Sequence, residues 1–156
     1  MKKLVFALMA VAALYACQKG GAPVDFNYRG LAFTMPVAQF VDSMTARGFA
    51  VDSAASDSGK TVVLASPAEH YRVLAAFNGE KLMVIQETYN LSTNDSTRQM
   101  WQELRDGLEK ELGAWPDCPV LKEDHKEANF DAGEGLISVL LENTYTPTLT
   151  VRYQKK

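Results

Sequence analysis

Cysteine and histidine are scarce in this 156-residue chain, which holds two of each: Cys17 and Cys118, His70 and His125. Two cysteines do not build the disulfide framework of a small secreted domain, so stability has to come from packing. The histidines are far apart in sequence and neither has a second histidine or cysteine at metal-ligand spacing, which argues against a preformed zinc site. Cys118 follows Asp117, whereas an activated thiol needs a cationic neighbour, so it reads as an inert cysteine. An excess of basic charge is also missing. Sixteen Lys and Arg stand against 19 Asp and Glu, for a formal charge of -3, and nothing here resembles a nucleic-acid footprint. Nor is there an apolar run long enough to cross a bilayer, since Leu4 to Ala13 covers only about half of the ~20 residues a helical span needs.

What that short run does have is context. Lys2 and Lys3 precede it and Leu14-Tyr15-Ala16-Cys17 closes it, the order of a secretion signal. The closing tetrad resembles the lipobox of bacterial lipoproteins, with leucine at minus three, a small residue at minus one and then cysteine; Tyr15 is bulkier than usual. The resemblance implies that Cys17 becomes the first residue of the mature chain and carries a diacylglycerol, with its new amino terminus acylated as well. Several acyl chains anchor stably, because each buried methylene contributes about 0.8 kcal/mol and a single chain is marginal. It further implies a protein of the cell envelope held in a membrane, expected to be the outer membrane, through the lipid on Cys17. Residues 1–16 are then the signal peptide, 17–24 a lipidated tether containing Gly20, Gly21 and Pro23, and 25–156 a single domain. Removal of Lys2 and Lys3 leaves 14 basic against 19 acidic residues, a formal charge of -5. Cys118 is left without an intramolecular partner.

Within the domain, Phe26, Tyr28, Leu31 and Phe33 predict a first strand, with Gly30 as a bulge or kink. Val37, Phe40, Val41 and Met44 form one apolar stripe, predicting a helix over 35–47 capped by Thr34 and ended by Gly48. Phe49 and Val51 open a strand, and Asp57-Ser58-Gly59-Lys60 turns into the apolar run Thr61 to Ala65. Tyr71, Val73, Ala75 and Phe77 share one side of the next strand. Asn78-Gly79 marks a tight turn into Lys81 to Tyr89, where alternation puts Leu82 and Val84 on one face and Met83 and Ile85 on the other. Ser96 and Gln99 read as a capping box before a second helix with the stripe Trp101, Leu104, Leu108 and Leu112, in which Gly107 is expected to permit close approach to the sheet. Gly113 and Pro116 end it. Residues 120–129 are charged and weakly patterned, so a strand there is expected at an edge. Leu136 to Glu142 and then Leu149, Val151 and Tyr153 supply the last strands. The predicted class is α+β, an antiparallel sheet with two helices on one face, in the order β-α-β-β-β-β-α-β-β-β.

Tyr28-Arg29-Gly30 and Arg47-Gly48-Phe49 around the first helix, with Leu104, Leu108, Leu112-Gly113 and Cys118 around the second, resemble a group of uncharacterised exported bacterial domains built as two helix-plus-sheet repeats. The arrangement is also similar to the tandem repeats of the β-lactamase inhibitor proteins. Both resemblances imply a fold and carry no catalytic residue.

Motifs of chemistry are thin. Ser58-Gly59-Lys60-Thr61 lacks the earlier glycine of a phosphate loop, Ala54 standing in its place, and is followed by strand-forming residues. Glu123, Asp124, Glu127, Asp131 and Glu134 read as a solvated acidic face, since no glycine-centred calcium loop is present. Asp42-Ser43-Met44, Asp52-Ser53-Ala54 and Asp95-Ser96-Thr97 resemble the acceptor triplet of a bacterial envelope O-glycosylation system, and Ser53 is the one outside a predicted helix or cap. Asn90-Leu91-Ser92 and Asn94-Asp95-Ser96 match the N-glycosylation triplet, a route unsuited to a bacterial lipoprotein. The expectation is therefore a non-catalytic binding or inhibitory module without metal or cofactor, taking a protein or small-molecule partner in the envelope. A structural or assembly lipoprotein is the alternative, and an enzyme with an unrecognised site the third reading. Apolar residues on both faces of the hairpin turning at Asn78-Gly79 place the expected partner face at Tyr71, Met83, Ile85, Tyr89 and Tyr153.

Overall fold

The structure, a computed structural model, describes residues 26–57, 60–66, 71–143 and 145–156. The signal segment, Cys17, the tether and His70 lie outside the described residues. The chain enters through a small hairpin, β1 (Asn27–Tyr28) paired with β2 (Leu31–Ala32). Arg29 and Gly30 between them both have positive φ, 49° and 81°, and two such residues in succession reverse the chain rather than kink it. Gly30 is thus a turn residue, and the single strand expected here is two.

Helix α1 (Val37–Ala46) begins with the first residue of its apolar stripe, two residues later than the expected start at 35, because Pro36 is extended and serves as N-cap without a side-chain bond; Thr34 does not cap it. Phe40 and Met44 bury its stripe, and Gly48, at φ 90°, lets the chain turn away. Short β3 (Ala50–Val51) then leads to β4 (Thr61–Ser66), β5 (Tyr71–Asn78) and β6 (Lys81–Asn90). Helix α2 (Asn94–Leu112) is capped by Thr93, whose hydroxyl accepts from the Ser96 amide at 3.1 Å, so the helix starts before Ser96. It ends at left-handed Gly113. Gly107 is exposed, and a Cβ built on it meets nothing within 4 Å; it faces solvent and not the sheet.

The remaining strands are β7 (Asp117–Lys122), β8 (His125–Asp131), β9 (Gly135–Glu142) and β10 (Thr148–Lys155). Eight strands form one antiparallel sheet in the order β3-β4-β5-β6-β10-β9-β8-β7. The α+β class with an antiparallel sheet holds. The observed order is β-β-α-β-β-β-β-α-β-β-β-β, with one strand more before the first helix and one more after the second than alternation showed. The segment expected as one edge strand is a hairpin in which β7 lies at the edge and β8 is internal. Its pattern was weak because only Ala128 and Phe130 point into the core, opposite Val139 and Ile137, while Glu127 and Asn129 face away. Pro119 sits within a register shift of β7, as the missing donor of an edge proline requires.

A bulge also rearranges β6. Phe77 pairs with Leu82 but Ala76 pairs with Val84, which leaves Met83 as the extra residue. Beyond it the alternation changes phase. Leu82 therefore shares a face with Ile85, and Val84 does not share one with Leu82. Phe40 packs on Phe77 with ring centroids 5.9 Å apart, Trp101 donates its indole N–H to the Val139 carbonyl at 3.1 Å, and these residues join the hairpin's Tyr28, Leu31 and Phe33 in one buried cluster. At the start of α2, Thr97 donates to Asn143, Asn143 to Asp124, and Arg98 to Asp124, which ties the helix to the turn between β7 and β8.

Candidate functional site

The most unusual buried group is Glu87 on β6, 1% exposed and in register between Val73 of β5 and Val151 of β10. A carboxylate set between two valines is tolerable only if both oxygens are hydrogen-bonded and the charge is paired. The hairpin supplies most of what it needs. Tyr28 donates its hydroxyl to Oε1 at 2.6 Å, Arg29 Nη2 lies 2.8 Å from the same oxygen, and Tyr89, two residues along β6, donates to Oε2 at 2.7 Å. Aromatic rings close the surroundings. Tyr71 stacks on Tyr89 at 5.0 Å, Tyr153 meets Tyr28 edge-on at 5.2 Å, and the Arg29 guanidinium lies over the Tyr28 and Tyr71 rings.

Arg29 reaches this position from left-handed backbone, φ 49°, which costs a non-glycine residue some strain. The turn holds it there: Asn27 accepts from the Gly30 amide at 2.9 Å, and Arg47 donates to the Arg29 carbonyl at 3.2 Å. Burial, the largest single effect, opposes charge on the guanidinium, but the Glu87 carboxylate and the Tyr28, Tyr71 and Tyr89 hydroxyls together outweigh it and hold Arg29 firmly protonated. Burial first, and the same carboxylate second, push the Tyr28, Tyr89 and Tyr153 phenols far above the ordinary tyrosine range. All three are neutral at any physiological pH, and Tyr28 and Tyr89 act as hydrogen-bond donors. Since both carboxylate oxygens are engaged by protein donors, the chemistry of the cluster is a clamp: it fastens the entering hairpin to the middle of the sheet.

The residues expected to form a partner face do not lie together on the surface. Tyr71, Ile85 and Tyr89 are buried, and Tyr153 is half-buried on the same side; Met83 stands at the bulge, partly exposed. The alternation of β5, β6 and β10 turns these tyrosines toward the hairpin, where Tyr153 meets Tyr28 and Tyr71 and Tyr89 meet Arg29. The opposite face carries different residues. In register across β5, β6, β10, β9 and β8 run Leu74, Gln86, Arg152, Ser138 and Asn129, and beside them Arg72, Thr88, Thr150, Leu140 and Glu127. Most are partly exposed. Ser138 donates to Asn129 at 2.6 Å and Asn129 to Glu127 at 2.8 Å.

Ser53 is exposed in a turn whose Asp52 carboxylate accepts from the Ala54 and Ala55 amides, whereas Ser43 is bonded to Gln39 within α1 and Ser96 lies in the first turn of α2 with its hydroxyl 2.8 Å from that of Thr93. An open cavity of about 330 Å³ beside this turn is lined by Val41, Val51, Ser53 and Ser56 among others. Cys118 is half-buried on β7 and His125 is exposed. The acidic residues after α2 are separated by the turns: Asp124 pairs with Arg98, Asp131 with Lys156, and Glu127 accepts from Asn129. Among the described residues no group of three or more His, Cys, Asp or Glu is arranged to hold a metal.

The sequence reading passed over Arg29 and Glu87 as a pair. The available signal was a glutamate at the same alternation position as Ile85 and Tyr89, in a strand otherwise apolar on that side. Comparison with known proteins finds no family model, curated protein or solved structure that matches this chain.

Proposed function

We propose that the chain is a lipid-anchored protein of the bacterial envelope whose domain is a non-catalytic binding module. In this reading both helices and the entering hairpin cover one face of the sheet, and the other face is the binding surface. The observation that carries it is the opposite face itself, where Leu74, Val84, Leu136 and Leu140 alternate with Gln86, Thr88, Arg152 and Thr150 in the registers of four adjacent strands. Aliphatic area mixed with hydrogen-bonding side chains is the composition of a recognition surface. The anchor rests on Lys2-Lys3, the apolar run and the tetrad ending at Cys17; no helix among the described residues is long and apolar enough to cross a membrane.

The test places a photoreactive residue at Gln86 or Arg152 in the full chain and, as a control, at Gln102 on the exposed side of α2. Irradiation of intact cells should crosslink a discrete partner from the two sheet positions and not from Gln102. A partner held in fixed stoichiometry through purification would favour the assembly-lipoprotein reading; no adduct from the sheet positions would overturn the binding face. Separately, Cys17→Ser should leave the signal uncleaved or release the protein from membranes.

A further inference from the structure

We propose that the end of the domain carrying Trp115 docks on the lipid bilayer, with the indole seated among the headgroups. This rests on the lipid-anchored reading above and goes beyond it by naming which end of the fold meets lipid. The chain enters at this end. The Phe26 ring lies against Gly135 at the start of β9 and 4.6 Å from the Phe33 ring, and Gly135 pairs with Lys155 at the close of β10. Register carries the same level across to β7, because Leu136 pairs with Asp131 and Asn129 with Asp117, and Trp115 precedes Asp117 by two residues. Helix α2 also finishes here, since its first turn is bonded to Asn143 at the far end of β9.

Cys17 and Phe26 are nine residues apart, so whatever its conformation the segment between them reaches at most about 30 Å. The bilayer must therefore lie near the Gly135 end. Tyr145, the other fully displayed aromatic among the described residues at 97% exposed, is in the connection between β9 and β10, about 25 Å away along an eight-residue strand. Seating that end on lipid would use nearly all of the reach merely to run beside the domain. Trp115 is 83% exposed while Trp101 is buried, so the core makes no use of the second indole. An amphipathic indole within reach of a bilayer settles at the headgroup level. Charge at this end is close to balanced, with Lys155 and Lys156 facing Glu134 and Asp131, and Lys156 bonded to Asp131. Docking is therefore driven by the aromatic side chain and needs no anionic lipid.

The test uses the full lipidated chain in phosphatidylcholine vesicles, part of whose lipids are brominated near the headgroup, read by tryptophan fluorescence after flotation. Brominated lipid should quench the emission of the native chain by about half, with Trp115→Phe, which retains only Trp101, left unquenched. A second reporter, Tyr145→Trp in the Trp115→Phe background, should also stay unquenched. If the chain floats and Trp115 is not quenched, the domain stands off the bilayer and the proposal is wrong while the anchor survives. Equal quenching at position 145 overturns the choice of end. Shielding of Trp115 only in native membranes, and not in pure lipid, makes the occupant a protein and overturns it too. If the chain does not float, the anchored reading falls and takes this one with it.

Discussion

One residue apart on the same strands, the two faces of the sheet handle polar groups in opposite ways. Toward the core, Val73, Glu87 and Val151 stand in register; one position along, facing the other way, Leu74, Gln86 and Arg152 do. Glu87 is buried at 1% exposure and is satisfied by Tyr28, 59 residues away in sequence, by Arg29 and by Tyr89. Across the sheet, Gln86 and Arg152 keep access to solvent, and Ser138, Asn129 and Glu127 bond only to one another along neighbouring strands. Polar residues on the core side are thus structural commitments, and those on the other side are free to meet a partner. A buried polar group left without its partner costs the full desolvation penalty, while an exposed one exchanges its bond for water.

The widest gap between the faces is expected at Trp101. Trp101→Ala removes a buried indole and its bond to the Val139 carbonyl, and a loss of about 3 to 5 kcal/mol is expected in denaturant melts. Arg152→Ala should stay within about 0.5 kcal/mol as a surface change. Comparable losses would mean that the second face is packed as well.

The same contrast on one helix is predicted at Leu108→Ala, with a loss of about 2 to 5 kcal/mol, against Glu109→Ala, within about 0.5 kcal/mol. Leu108 is buried and Glu109 is partly exposed. Equal effects on the urea midpoint would show that α2 presents a different side to the sheet.

Removing Arg29 tests the clamp. Arg29→Ala leaves the Glu87 charge buried without its cation, a loss in the lower part of the range of about 3 to 5 kcal/mol or below it, because the Arg29 side chain is 44% exposed. Adding Glu87→Gln should recover part of that loss, since groups in one network are not additive. Recovery in the double variant, measured by a double-mutant cycle, separates a charge pair from simple packing.

Tyr28→Phe should cost about 1.5 to 3 kcal/mol at neutral pH, the usual worth of a bond to a charged group. The buried tyrosines bind their protons more tightly when folded. Their contribution is therefore fully present below about pH 10, the unfolded tyrosine value, and is lost as pH rises beyond it. Melts from pH 8 to 11 should show stability falling above that point, and falling less steeply in Tyr28→Phe. A flat profile would contradict the burial of these hydroxyls.

The smallest expected effect has the opposite sign. Gly107→Ala should stabilise by up to about 1 kcal/mol, because a Cβ there enters open space. Gly135→Ala should destabilise, since its Cβ would strike the Phe26 ring. Loss of stability in Gly107→Ala would return that residue to the sheet side.

Several elements were decided by the sequence alone because their causes are local. The stripes around Phe40 and Trp101, the left-handed glycines 48, 79 and 113, and the shared side of Tyr71, Val73, Ala75 and Phe77 follow from spacing and backbone sterics within a few residues. The candidate site was barely legible for the converse reason. Met83 carries no mark that it is the extra residue of a bulge, since its pairing depends on how β5 is held, and that bulge changes the alternation of the strand that carries Glu87. Nothing local says that β8 is internal, or that Tyr71 and Tyr89 turn inward to an arginine from the entering hairpin. Those outcomes depend on which strand lies next to which, and only the assembled sheet brings Arg29 to Glu87, because an ion pair between distant segments has no periodicity to read.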